Sequence, residues 1–183
     1  MDASDLESVI IDSTVQSKAT AHPTDSSLLN IARYKLVKAT KECGLSFKPT
    51  DVKEAKNLNR RAGGYAHAKQ FKRLKKVIKR QRSIVGVLLK ETGHQLATVN
   101  EQAQQKLKEL MGWVTRLKNQ KRDDKNKIDS LHAPKVECIG KGKSGKPYEF
   151  GVKTSIVVSH QTSLILGTRT FPSNPYDGHS LLT

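Results

Sequence analysis

Apolar residues recur at helical spacing through the middle of the chain and predict three helices. The first begins at the N-cap candidates Thr24-Asp25-Ser26 and ends at Gly44. A second helix is predicted from about Ala66 to Lys90 and a third from about Gln95 to Lys121, joined as an antiparallel hairpin by a short turn around Gly93. The apolar stripe of the first helix consists of Leu28, Leu29, Ala32, Leu36, Val37 and Ala39.

β-Branched and alternating runs flank these helices. Val9-Ile10-Ile11, followed by Asp12, predicts a buried strand that ends in polar residues. Later runs at 136–139, 148–158 and 163–170 predict further strands separated by glycine-rich and polar turns. A single strand needs partners, and here they come only after the helices. We therefore predict an α/β fold in which a large α-helical insertion follows the first strand of one sheet.

Three segments follow from this order of elements. Residues 1–22 form the first strand with Asp12, residues 23–130 form the α-helical insertion, and residues 131–183 form the following strands. Within the insertion, 45–63 is predicted to connect the first two helices, since Pro49 and Gly63-Gly64 disfavour regular structure there.

Charge changes the interpretation of the helices. The chain has 33 Lys and Arg against 17 Asp and Glu, a net charge of +16, and residues 53–90 contain thirteen bases and one acid. The plainer alternative is a helix whose charged side is simply exposed to solvent. Such a helix typically carries both acidic and basic residues, which form i,i+4 ion pairs. We therefore predict contact with DNA, chiefly through its phosphates. The candidate phosphate contacts are Lys69, Lys72, Arg73, Lys76, Arg80 and Lys143.

Membrane insertion and secretion find little support. No run of 18 apolar residues occurs, and residues 1–8 are acidic, unlike a signal peptide. A basic protein also binds membrane surfaces, but no large apolar anchor follows the basic stretches. Cys43 and Cys138 are far apart and without a second pair, so neither a disulfide framework nor a zinc site is indicated. The expected location is cytoplasmic.

Two further motifs have competing interpretations. Gly140 to Lys146 matches the glycines and lysine of a phosphate-binding P-loop, but Pro147 follows where Ser or Thr is required, and a strand is predicted next. A basic hairpin turn accounts for it better. Asp12, directly after an apolar run, is either the exposed end of a strand or a ligand for a hard cation. The six histidines have no paired metal-ligand spacing.

Several long runs, in the same order, resemble bacterial insertion-sequence DDE transposases of the insertion-sequence-five type. The likeness spans nearly the whole chain. The runs are Ile11-Asp12-Ser13-Thr14-Val15-Gln16, Pro23-Thr24-Asp25, the segments 65–73, 130–143 and 147–153, and Asn174-Pro175-Tyr176-Asp177-Gly178-His179.

The resemblance implies a ribonuclease-H-like catalytic domain with a helical insertion after its first strand. In such enzymes two Asp and one Glu hold two divalent ions, normally Mg²⁺, which catalyse DNA cleavage and strand transfer. Asp12 matches the first Asp. The family contexts of the second Asp and the Glu do not occur among the 183 residues, and Asp177 belongs to a turn. The family's N-terminal DNA-recognition region also has no counterpart before the first strand.

These departures imply a partial transposase that is inactive by itself. The expected partners are transposon ends and target DNA, with self-association or a full-length transposase as further partners. Two alternatives remain: a non-catalytic DNA-binding protein that inhibits transposition, and a decayed gene product.

Overall fold

The computed structural model describes residues 7–18, 22–45, 52–121, 123–124, 127–141, 144–145, 147–171 and 174–176. The chain divides into two compact units. Unit 1 comprises Met1–His22 and His132–Thr183, and unit 2 comprises Pro23–Leu131. Unit 2 is therefore inserted in the chain between two parts of unit 1. The described elements form a mixed α/β fold, with the helices in unit 2 and an antiparallel sheet in unit 1.

Helix α1 (Asp25–Glu42) begins and ends where the sequence predicts. The Thr24 side chain accepts a hydrogen bond from the Ser27 backbone N–H, and the Ser27 hydroxyl in turn accepts one from the Thr24 N–H. This reciprocal cap satisfies two donors that a helix start leaves unpaired. After the helix, Gly44 adopts a φ of 77°, a conformation that only glycine takes without a steric cost.

Helix α2 (Val52–His67) corrects the prediction that 45–63 only connects two helices. Ala55, Leu58 and Ala62 lie on one side of it and are buried. Interior glycine costs a helix about 0.5–1 kcal/mol, whereas full burial of a leucine contributes about 1.5–3 kcal/mol. Packing therefore offsets the cost of Gly63 and Gly64 in the helix interior.

Helix α3 (Phe71–Gln95) begins five residues later than predicted and extends through Gly93. A turn at 68–70 separates it from α2, with Lys69 at a φ of 53°. The predicted turn around Gly93 is wrong: the chain reverses at the 3-10 turn Leu96–Thr98, before α4 (Glu101–Asn119). Asn100 caps α4 by accepting a hydrogen bond from the Ala103 N–H at 2.8 Å.

Helices α3 and α4 form the antiparallel hairpin that the two long stripes predict. Gly93 faces the Met111 side chain, Gly86 faces Lys118, and the Arg82 guanidinium donates to the Gln120 carbonyl oxygen at 3.1 Å. As the contact moves towards the N-terminal end of α3, its partner moves towards the C-terminal end of α4, so the two helices run antiparallel. Helices α1 to α4 all contribute to the apolar core of unit 2. Among the described residues this core comprises Leu28, Leu29, Ala32, Leu36, Leu58, Ala62, Val77, Ile84, Val85, Leu88, Leu89, Val114, Leu117, Ile128 and Leu131.

Unit 1 contains an antiparallel sheet in which the longest strand is central. β3 (Tyr148–Ser159) pairs along one edge with β1 (Val9–Ser17). Its other edge pairs with β2 (Glu137–Gly140) over 148–151 and with β4 (Ile165–Thr170) over 154–158. The strand before the helical insertion is thus hydrogen-bonded to the strand that follows it.

The first strand differs from its prediction in two respects. Val9, Ile10 and Ile11 are exposed rather than buried, and Asp12 lies within β1 rather than at its end. The β-branched run favours an extended backbone regardless of burial, so its composition did not reveal exposure. In the part of the chain that the structure describes, no helix has both the length and the apolar character needed to cross a bilayer.

Candidate nucleic-acid interface

A basic groove lies between helices α2 and α3 of unit 2. Its cavity has a volume of about 360 Å³. The apolar floor is formed by Leu58 and Val77, whose burial holds the two helices together. The polar walls are formed by Glu54, Arg61, Tyr65, Arg73, Lys76 and Arg80. Four cations and one acid therefore surround a single concave surface, which we call the α2–α3 groove.

The spacing of residues on α3 explains how three predicted phosphate contacts reach this groove. Arg73, Lys76 and Arg80 are three and four residues apart, so they project from one side of the helix. Arg61, from α2, supplies a fourth cation from the opposite wall. Cations from two helices that face one concavity are suited to hold an extended anionic chain between them.

Tyr65 lies between two of these cations. The guanidinium carbons of Arg61 and Arg73 are 5.7 and 5.9 Å from the centre of its ring, within the range of cation–π attraction. Arg61 also donates a hydrogen bond to the Tyr65 hydroxyl oxygen at 3.2 Å. That hydrogen bond lowers the pKa of Tyr65 from its ordinary value, since it favours the phenolate. Partial burial acts in the opposite direction and raises the pKa. The positive charges of Arg61 and Arg73 lower it further.

Arg80, although half exposed, is paired with an acid. Its guanidinium donates to both carboxylate oxygens of Glu54, at 2.7 and 2.8 Å, in a bidentate ion pair that joins α3 to α2. Arg73 donates to the Gln70 side-chain oxygen at 2.9 Å. Two of the four cations of the groove therefore already have side-chain partners within the chain, and Glu54 competes with a phosphate for Arg80.

The other predicted contacts have different positions. Lys69 is exposed in the turn before α3, and Lys72 is exposed on the first turn of α3, but neither lines the groove. Lys143 lies outside the described residues. Sequence reasoning missed Arg61 and Tyr65 because it assigned most of α2 to a connection. The signal available was the spacing of Leu58, Ala62 and Tyr65, which is helical.

Asp12, the predicted metal ligand, is exposed on β1 and lies opposite Ile156 in the β1–β3 ladder. Among the residues that the structure describes, no group of three or more His, Cys, Asp or Glu side chains is arranged to hold a metal ion. The described residues therefore do not assemble the three-carboxylate site that the resemblance implies, and Asp177 lies outside them.

Comparison with known proteins gives one partial match. The chain is 47% identical over 66 residues to a Rhizobium meliloti protein described as "Uncharacterized protein ORF8 in nfe locus". These residues are 36% of this chain and 32% of that protein, so the match spans about a third of either. No protein-family model matches the chain. No solved structure matches it either.

Proposed function

We propose that this chain is the DNA-contacting part of an insertion-sequence DDE transposase and that the α2–α3 groove binds the DNA backbone. The observation that carries the DNA-binding step is the convergence of Arg61, Arg73, Lys76 and Arg80 on one groove. Guanidinium groups present paired N–H donors that match phosphate oxygens, and a lysine adds a point charge.

The groove chemistry favours contact with phosphates over reading of bases. Its described polar wall contains a single carboxylate, Glu54, and no Asn or Gln, the side chains that pair with adenine. Tyr65 is held between two arginines, which limits its freedom to stack on a base. The expected binding is therefore largely independent of sequence and strongly dependent on salt.

The transposase part of the proposal rests on the sequence resemblance and on one feature of the fold. The resemblance implies a helical insertion after the first strand of the catalytic sheet. Here β1, which contains Asp12, pairs with β3 across an insertion of four helices among the described residues. The parental chemistry would be metal-dependent DNA cleavage and strand transfer, with Asp12 as one ligand of Mg²⁺. The described residues do not by themselves complete such a site.

A second candidate function is a non-catalytic DNA-binding protein that interferes with a transposase. The described residues favour this candidate to the extent that they form a cationic groove without a three-ligand metal site. Both candidates require the groove to bind DNA. They differ in whether Asp12 is needed for any activity on DNA.

The direct test is fluorescence anisotropy with short DNA duplexes of unrelated sequence over a range of salt concentrations. The triple variant R61Q/R73Q/K76Q removes three positive charges from the groove. Its matched control, K90Q/K106Q/K108Q, removes three positive charges from exposed lysines elsewhere on unit 2. The salt slope should fall by about one for each lost phosphate contact in the groove variant. Equal losses in both variants would show that only net charge matters and would overturn the assignment of the groove.

A further inference from the structure

Helix α3 carries a second row of cations on a different side from the residues that line the α2–α3 groove. Lys72, Lys75 and Lys79 are three and four residues apart, so their side chains project from one side of the helix. At about 3.6 residues per turn, this side is rotated by roughly 100° from the side that carries the three groove cations of α3. All three lysines are exposed, and none of them lines the groove.

In the part of the chain that the structure describes, no acid pairs with these three lysines. Two arginines of the same helix differ in this respect, since Arg80 pairs with Glu54 and Arg82 with Asp25. The sequence from 55 to 90 contains no Asp or Glu at all. Like charges three and four residues apart repel each other and destabilise a helix. The row is therefore suited to a polyanion that neutralises several of its charges together.

An exposed aromatic ring lies at the N-terminal end of the same row. Phe71 is the first residue of α3 and precedes Lys75 by four positions, so the two side chains share a side of the helix. The Phe71 side chain is 59% exposed. Among the described residues, neither a second aromatic ring nor a guanidinium stacks on it, whereas Tyr65 is held between two arginines. Phe71 is therefore freer than Tyr65 to stack on a planar ligand. We call Phe71, Lys72, Lys75 and Lys79 the α3 ridge.

The turn before α3 fixes the start of the ridge. The Gln70 N–H donates to the Tyr65 carbonyl oxygen at 2.8 Å, and the Lys69 N–H donates to the Ala66 carbonyl oxygen at 3.1 Å. This pair of hydrogen bonds ends a helix through one left-handed residue, which is usually glycine. Here that residue is Lys69, with a φ of 53°, and it adds an exposed cation close to Phe71 in the chain. The Phe71 N–H donates in turn to the Lys69 carbonyl oxygen at 3.0 Å, so the backbone that carries the ring is hydrogen-bonded in place.

We infer that the α3 ridge binds single-stranded DNA, with Phe71 stacking on one base and the three lysines contacting phosphates. Sites that bind single strands without sequence preference combine cations that follow the backbone with an aromatic ring that stacks on a base. In a perfect duplex the faces of each base are covered by its neighbours, so an exposed ring gains little there. The inference goes beyond the proposed function of the α2–α3 groove and does not depend on it, because the two sites share no residue.

An anionic membrane is the competing partner for a surface that is both basic and aromatic. Helices that lie on a membrane insert a broad apolar face between the lipids. The apolar face of α3 is instead buried in the core of unit 2, through residues such as Val77, Val85 and Leu88. Phe71 is the one apolar member of the ridge. The composition of the ridge therefore favours a nucleic-acid strand over a lipid surface.

Fluorescence anisotropy of the full chain with an oligothymidylate and with a duplex of the same length tests the ridge. Phe71→Ala should weaken single-strand binding roughly tenfold, the loss of one stacked base, and should leave duplex binding nearly unchanged. Phe71→Trp retains a stacking ring and should bind the single strand as the unmodified chain does. Tyr34→Ala is the matched control, because it removes an aromatic side chain of α1 that is 60% exposed, and it should change neither affinity. Urea unfolding checks that each variant is folded.

The lysines are tested by the variant K72Q/K75Q/K79Q. Its salt slope for the single strand should fall by about 0.7 for each lost phosphate contact, and by more than that of K90Q/K106Q/K108Q, which removes the same charge elsewhere. In the groove variant R61Q/R73Q/K76Q, Phe71→Ala should still weaken single-strand binding, so failure of the ridge and failure of the groove are distinguishable. Equal effects of Phe71→Ala on single strand and duplex, or no effect on either, would overturn the inference. Binding to phosphatidylserine vesicles that Phe71→Ala abolishes, with single-strand binding unchanged, would assign the ridge to a membrane instead.

Discussion

Glu54 accepts two hydrogen bonds from the Arg80 guanidinium, at 2.7 and 2.8 Å, although the two residues are 26 positions apart in the chain. The pair fixes the α2–α3 groove at one end and places its one acid against one of its four cations. Both side chains are about one-third to one-half exposed, so the pair contributes only about 0.2–1 kcal/mol to stability. Its larger consequence concerns ligand binding, since Glu54 occupies the Nε and Nη2 edge of the Arg80 guanidinium and competes with a phosphate for it.

Glu54→Gln should therefore raise DNA affinity while leaving the fold intact. The substitution removes the competing charge and leaves Arg80 available for a phosphate, which we expect to tighten binding roughly tenfold at low salt. Anisotropy titrations with a DNA duplex measure the change, and a urea titration checks stability. Glu109→Gln, which removes an exposed acid from α4, is the control for net charge. If both variants gain equally, Glu54 has no specific role.

Tyr65 should report occupation of the groove through its pKa. The hydrogen bond from Arg61 lowers the pKa of Tyr65 below its ordinary value of 10.0. Arg61→Gln should raise the pKa of Tyr65 towards that value, and bound DNA should do the same, since phosphates neutralise Arg61 and Arg73 and repel a phenolate. The measurement is phenolate absorbance against pH, with Tyr65→Phe subtracted to isolate this residue from the other three tyrosines.

The lowered pKa of Tyr65 also makes the free energy of unfolding depend on pH. A lowered pKa in the folded chain means that the phenolate is favoured by folding. Its contribution to stability is full above the ordinary pKa of tyrosine and is lost as the pH falls through the lowered pKa. Stability near neutral pH should therefore be the same in Tyr65→Phe, whereas a difference should develop only at alkaline pH. A loss already present at pH 7 would indicate a packing role instead.

Gly151 should be required for the pairing of the first strand with the central strand. An added Cβ at this position would overlap the Gln16 carbonyl oxygen and approach a Val15 methyl carbon within 2.7 Å. The offending atoms belong to the backbone and to a buried side chain, so β1 must shift. We expect Gly151→Ala to destabilise unit 1 by about 1–3 kcal/mol, measured by urea unfolding and by faster amide exchange in β1.

Gly167 provides the matched control for Gly151. It lies in β4 of the same sheet, where an added Cβ would meet no atom within 4 Å. Gly167→Ala should therefore leave both unfolding and amide exchange in β1 nearly unchanged. Comparable losses in the two alanine variants would mean that the close approach of β1 at Gly151 does not determine its stability.

Asp12 should have no catalytic effect in the 183-residue chain alone. It is exposed and belongs to no three-ligand cluster among the described residues, and one carboxylate does not hold two Mg²⁺ ions. Incubation with supercoiled DNA and Mg²⁺ should give binding without nicking, and Asp12→Asn should behave identically. Nicking that Asp12→Asn abolishes would contradict the expectation of an inactive chain and would support Asp12 as a metal ligand.

The sequence determined the elements whose signals are local. The cap at Thr24, the stop at Gly44 and the apolar stripes of α1, α3 and α4 depend on residues a few positions apart, so periodicity located these helices. The strand that follows Pro147 likewise excluded a P-loop, because such a loop must lead into a helix. The charge of residues 53–90 identified the basic surface but not its shape.

The remaining features were decided by the tertiary structure alone, because they depend on contacts between residues that are distant in the chain. Packing against the unit 2 core stabilises α2 despite Gly63 and Gly64, and that helix completes the groove with Arg61 and Tyr65. Val9, Ile10 and Ile11 are exposed because burial depends on which elements cover a strand, and composition does not specify them. The Glu54–Arg80 pair and the burial of Lys153 arise in the same way, from contacts that no local pattern encodes.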